Sequence, residues 1–153
     1  MSVQDTLQSM GLTLPQPARP VASYVPAVRV GNLIYTSGQI PTRDGRLTRR
    51  GKVGIELTQD DAYDEAQTCA LNALAAVQDL TGSLDAISQV VKVTGYVNSA
   101  EGFSDQSTVV NGASDLLVKL FGEKGKHARA AIGVAGLPLD AAVEVDLIVE
   151  VGG

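Results

Sequence analysis

Two alternating stretches near the C-terminus constrain this chain more than any other feature. In Ala128 to Ala135, strand geometry puts Ala128, Ala130, Ile132 and Val134 on one face, with Arg129, Ala131, Gly133 and Ala135 on the other. In Ala141 to Val151, Val143, Val145, Leu147, Val149 and Val151 share a face, while Glu144, Asp146 and Glu150 point the opposite way. The segment between them, Gly136-Leu137-Pro138-Leu139-Asp140, carries turn chemistry, so the pair reads as a hairpin. If its apolar faces coincide, Arg129 and Glu144 also share a face, because side-chain direction has a period of two. The Arg129 face is otherwise floored by Ala and Gly, which leaves room for a small anionic ligand.

The rest of the chain supplies a domain around that pair. At 153 residues and 44% hydrophobic it suits one domain, burying about 70% of its unfolded surface. No apolar run approaches the roughly 20 residues of a membrane helix. The start, Met1-Ser2-Val3-Gln4-Asp5, lacks a basic segment before an apolar one, so no export signal is expected. With the single Cys69 leaving no intrachain disulfide, a cytoplasmic protein is expected. The net charge of −5 argues against a general nucleic-acid binder. One local exception, Arg43, Arg46, Arg49, Arg50 and Lys52, reads as a solvated connecting loop. One His and one Cys do not build a usual metal site, so none is expected.

Along the chain, Ser2 to Met10 reads as a short amphipathic helix, and Pro15, Pro17 and Pro20 then force an extended segment. Residues 1–20 read as an N-terminal arm and 21–153 as the domain. Tyr24 to Val30 and Leu33 to Ser37 read as strands around a Gly31-Asn32 turn, with a further short strand expected at Lys52 to Glu56. Thr58 with Asp61 marks a capping box opening a long helix, on whose apolar stripe Cys69 lies, and Gly82 stops it. Ala86 to Val97 reads as a strand. A second helix, capped by Ser104 or Ser107, buries Val110, Ala113, Leu117 and Phe121 and ends at Gly122. The order ββ(β)αβαββ predicts an α+β layer of two helices on one sheet, whose other face self-association would cover.

Ser23-Tyr24-Val25, Gly31 through Thr36-Ser37-Gly38-Gln39-Ile40-Pro41, Val91-Lys92-Val93-Thr94, and Arg129 through Leu137-Pro138 to Glu144 together resemble the Rid family of enamine/imine deaminases, YjgF-type proteins once labelled endoribonucleases. The resemblance spans roughly residues 21–151. It implies a chorismate-mutase-like fold assembling as a homotrimer with clefts between subunits. It also implies cofactor-free hydrolysis of 2-imino acids to 2-keto acids and ammonia. Carried over by position, Arg129 would grip a substrate carboxylate and Glu144 would activate water. Tyr24, Ser37, Gly38 and Asn111, with Ala131 two residues after the arginine, would line the cleft. Four departures point to a divergent subgroup: Ala131 where members often carry Cys, His127-Ala128 in place of Pro-Ala, Gly133 and Gly136 where the pattern is polar, and the N-terminal arm, residues 1–20, which the resemblance leaves as an extra segment.

The chemistry is compatible with these residue types. Water adds readily to a protonated C=N, so holding the substrate and delivering water suffices. A guanidinium matches a carboxylate bidentately, and a carboxylate can orient water. From the residues alone, Arg129 and Glu144 could equally be an ion pair, Ser37 a structural hydroxyl, Tyr24 a packing aromatic and His127 a loop residue. Two other functional readings stand beside the enzyme: a carboxylate-binding protein without turnover, and RNA cleavage. The last is disfavoured by the acidic charge and 4% aromatic content.

Overall fold

The structure is a computed structural model that describes residues 1–17 and 22–152. Pro20 and the expected boundary at Val21 lie outside the described residues.

A capping box closes α1 (Val3–Ser9) at Ser2, whose hydroxyl accepts from the Asp5 amide. Its Val3 and Leu7 are buried in the core, so the helix packs on the domain. Strands β1 (Ala27–Val30) and β2 (Leu33–Thr36) pair around Gly31-Asn32. Gly31 alone has positive φ (60°) in that turn, the pattern of a II′ hairpin, where an L side chain would be strained. No strand forms at residues 52–56; Val53 makes only isolated bridges to Leu57 and Ser99. Two-residue strands, β3 (Thr42–Arg43) and β4 (Arg46–Leu47), form instead about an Asp44-Gly45 turn.

The long helix α2 (Gln59–Thr81) starts at the Thr58–Asp61 capping box and ends on Gly82, as the sequence predicts. Ala62, Ala66, Cys69, Ala70, Ala73, Leu74 and Val77 are all buried. Strand β5 (Ile87–Asn98) leads into α3 (Gln106–Phe121). The cap of α3 is Asp105 rather than Ser104 or Ser107, and its side chain caps no backbone amide; its carboxylate instead accepts from Thr108 Oγ1 at 2.7 Å. A side chain on Gly112 would overlap the Tyr63 carbonyl, so the bare backbone here is what lets α3 press against α2. Helices α2 and α3 thus pack against the sheet, as the sequence predicts, and α1 rests on α3.

The strand order is β1-β2-β7-β5-β6, with β6 (Ala128–Val134) at the edge and β7 (Val143–Val151) in the centre. The expected C-terminal hairpin does not exist. Strand β6 pairs parallel with β5, and β7 pairs antiparallel with both β5 and β2. Residues 135–142 form a connection longer than the two to five residues usual for a hairpin, and it passes the end of β5. Strand β7 takes the central slot because its Val143, Val145, Leu147, Val149 and Val151 row is the most completely buried in the sheet. The edge strand β6 also has the opposite facing from the expected one. Arg129, Ala131 and Gly133 are level with Val93, Gly95 and Val97 on the helix side, while Ala128, Ala130 and Ile132 face outward. The helix side beside α3 is crowded, as a side chain on Gly133 would press on Gln106 and Ser99, so the small residues go there. Val28, Tyr35 and Ile132 are left about half exposed on the outer face.

Candidate functional site

The sheet separates the predicted site residues into two groups. Arg129 belongs to the first. It rises from β6 toward α3, where its Nη1 donates to Asn111 Oδ1 at 2.8 Å and to Ser114 Oγ at 3.2 Å. Asn111 and Ser114 are three residues apart and share one side of α3. Ser114 Oγ lies 2.9 Å from His127 Nε2, and His127 Nδ1 lies 2.6 Å from the Gly125 carbonyl. Ala131 follows Arg129 on the same side and packs against the core.

The second group gathers round Glu144 on the outer face. The Gln39 backbone pairs with Val145, which lays residues 37–39 beside β7. A Cβ on Gly38 would overlap Glu144 Oε2, so the glycine lets the carboxylate lie against bare backbone. Ser37 Oγ donates to the Val25 carbonyl at 2.6 Å, which makes this hydroxyl a strut for the loop before β1. Tyr24 precedes that loop, is 58% exposed and makes no polar contact among the described residues. Next along the outer face, Tyr96 OH donates to Asp146 Oδ2 at 3.0 Å.

Electrostatics distinguish Glu144. Its carboxyl finds no hydrogen-bond donor among the described residues. Burial, and then the neighbouring Asp146 charge, raise its pKa above the ordinary carboxylate value. The pKa of Asp146 is likewise raised by burial, against the opposing effects of the Tyr96 hydroxyl and Lys92. A half-buried, unpaired carboxylate with a raised pKa is a stronger base than an ordinary one and suited to taking and returning a proton.

Arg129 and Glu144 are not a pair within one protomer, so the ion-pair reading fails there and the shared face is corrected. Arg129 is level with Leu147 across β5, whereas Glu144 is level with Tyr96. They stand about 10 Å apart across the sheet and about 10 Å along it, on opposite faces. Parity within each strand was legible, but its reference to the core was not.

Sequence reasoning missed Ser114, Tyr96 and Asp146, and read His127 as a loop residue only. The i, i+3 spacing of Asn111 and Ser114, and the i, i+2 spacing of His127 and Arg129, were the available signals. Cys69 is buried, 3.5 Å from the Val143 carbonyl, and burial drives its thiol pKa well up. Of the basic loop, Arg43 donates to Thr68, Arg49 faces Asp61 and Glu65, and Lys52 Nζ donates to Asn98 Oδ1 and the Ala135 carbonyl. These three are anchored to the fold rather than free in a solvated loop. Among the described residues, no three His, Cys, Asp or Glu side chains gather as a metal site, and no helix is long and apolar enough to cross a membrane.

Helices on one face of a mixed sheet, with the opposite face bare, define an α+β protein of the chorismate-mutase-like kind. A family model described as YjgF/chorismate mutase-like, "putative endoribonuclease", matches residues 4–151, so most of the N-terminal segment read as an extra arm lies within the family pattern. Protein TCP17 of Trypanosoma cruzi is 44% identical over 97% of this chain and 93% of its own length. A 2-iminobutanoate/2-iminopropanoate deaminase of Dermatophagoides farinae is 33% identical over 90% of this chain and 93% of its own. The crystal structure of an Agrobacterium tumefaciens protein of unknown function superposes with a TM-score of 0.92 at 43% identity, covering 98% of this chain and 92% of the other. The chain belongs to the YjgF family, which the Rid-like motifs in its sequence anticipate.

Proposed function

We propose that this protein hydrolyses reactive 2-imino or enamine acids to 2-keto acids and ammonia, without a cofactor, at a cleft between two copies of the chain. The carrying observation is Glu144: a half-buried carboxylate without a donor, seated on the Gly38 backbone, with its pKa raised. Arg129 supplies the complementary feature, a guanidinium braced from α3 and turned away from Glu144 of its own protomer. A second copy docking its β6–α3 edge on the bare sheet face would bring its Arg129 to this copy's Glu144. Three such contacts close a homotrimer.

In that cleft Arg129 holds the substrate carboxylate. Glu144 takes a proton from water as its oxygen bonds to the iminium carbon, and the carbinolamine nitrogen is then protonated. Glu144 gives its proton to that nitrogen, the C–N bond breaks and ammonia leaves, and the hydroxyl passes its own proton to the Glu144 carboxylate as it becomes the keto oxygen. No thiol takes part, so Ala131 is compatible with this route. The outer face carries Glu144 and Asp146, which opposes a polyanion and disfavours RNA cleavage.

The test is imino acid generated in situ by an amino-acid oxidase, with its decay followed with and without the protein. Faster decay that is lost in Glu144→Gln supports the proposal. Keto-acid binding without faster decay would leave a binding protein and overturn the enzyme.

A further inference from the structure

The geometry points to Ser114 and His127 as positioning residues for the Arg129 guanidinium, an inference that rests on reading Arg129 as a carboxylate clamp. Nη1 carries two hydrogens, and the structure accounts for both: one goes to Asn111 Oδ1 at 2.8 Å, the other to Ser114 Oγ at 3.2 Å. The Nε–Nη2 edge has no partner among the described residues. Its two parallel N–H groups are the ones that grip a carboxylate side-on. Asn111 and Ser114 therefore select which edge of the guanidinium meets the ligand.

A serine hydroxyl on its own would rotate, and His127 holds it. Nδ1 of His127 is 2.6 Å from the Gly125 carbonyl, which only accepts, so in the neutral ring Nδ1 carries the proton and Nε2 the lone pair. Nε2 in turn lies 2.9 Å from Ser114 Oγ and receives its hydrogen. That leaves the Ser114 lone pairs for Arg129. The hydrogen bonds run in one direction, from Arg129 to Ser114 to His127 to Gly125, and each polarises the next. The far end is firm, because Gly125 is buried and lies so close to α3 that a side chain there would overlap the Leu117 backbone.

Calorimetry on the full chain with 2-oxobutyrate tests this, beside NMR of the protein labelled with ¹⁵N-arginine. Ser114→Ala and His127→Ala should each weaken binding about five- to tenfold, as expected for one lost neutral hydrogen bond. Both should melt within about 2 °C of wild type, since these half-buried polar side chains contribute little packing. The separate Nη proton signals of Arg129, present in wild type, should merge in Ser114→Ala as the guanidinium rotates freely. Ser114→Thr keeps the hydroxyl and should restore both readouts. If Ser114→Ala fails to fold, His127→Ala, altered in a loop, carries the same comparison. Wild-type affinity and unchanged Nη signals in both alanine variants, with Arg129→Lys weakened, would overturn the positioning role and leave the clamp standing. Failure of wild type to bind at millimolar ligand would overturn the clamp and this inference with it.

Discussion

At Glu144 a carboxylate is half buried with no donor from its own fold, and two outcomes follow at the scale of that residue. Its pKa is raised, so the folded protein holds the Glu144 proton more tightly than the unfolded chain. Stability from this group is therefore complete below the unfolded carboxylate pKa and lost as pH rises through the folded one. Glu144→Gln should melt higher than wild type at neutral pH and match it in acid, by calorimetric scans across that range. The same variant should lower imine hydrolysis about 10²-fold, the lower end of what acid/base help contributes. Gly38→Ala separates site from fold. Its Cβ would press first on the Glu144 carboxyl and then on Cγ, flexible side-chain atoms rather than backbone, and Gly38 has no positive φ, so the Glu144 side chain can swing aside. Melting should barely change while activity falls about as far as in Glu144→Gln. For Arg129→Lys, the charge persists without the bidentate fork, and calorimetry should show about tenfold or greater loss of keto-acid affinity.

Among the elements, the contact of α2 with α3 and the hub at the end of β5 carry the clearest mechanical demands. Gly112→Ala would drive a methyl into the Tyr63 carbonyl, which is backbone and cannot turn away. The helices must separate, at a cost of about 1–3 kcal/mol in chemical denaturation, and Asn111 moves with them. Asn98 is fully buried. It donates to the Gly51 and Ala141 carbonyls and to Asp140, and accepts from Lys52. Asn98→Ala orphans these groups and should cost about 2–3 kcal/mol. Cys69, on the buried side of α2, should resist iodoacetamide in the folded protein, leaving activity unchanged.

For the whole molecule, the uncovered sheet face sets the expectation. Val28, Tyr35 and Ile132 share it with Glu144, Tyr96 and Asp146. Sedimentation equilibrium at micromolar concentration should give a trimer, and a charge placed at Ile132 should dissociate it and abolish imine hydrolysis together. A fully active monomer would sink the shared cleft.

The local signals were legible because they depend on neighbours in sequence. The Thr58–Asp61 box, the Gly82 stop, the Gly31-Asn32 turn and the apolar stripe of α2 are short-range chemistry, and each stands where the residues put it. The residue types at Arg129 and Glu144 were equally legible. What the sequence by itself determined was thus the long elements, their order and the family signature. The strand expected at 52–56 and the unforeseen β3–β4 pair show that short strands, held by partners distant in sequence, were not legible. Only the tertiary structure decided that β7 lies between β2 and β5, that β6 turns its Ala128, Ala130 and Ile132 row outward, and that Arg129 meets α3 instead of Glu144. Alternation defines two faces but never says which one meets the helices. That choice is a competition among strands for burial, and Val143, Val145, Leu147, Val149 and Val151 bury far more apolar surface than the Ala- and Gly-rich β6, so β7 took the centre.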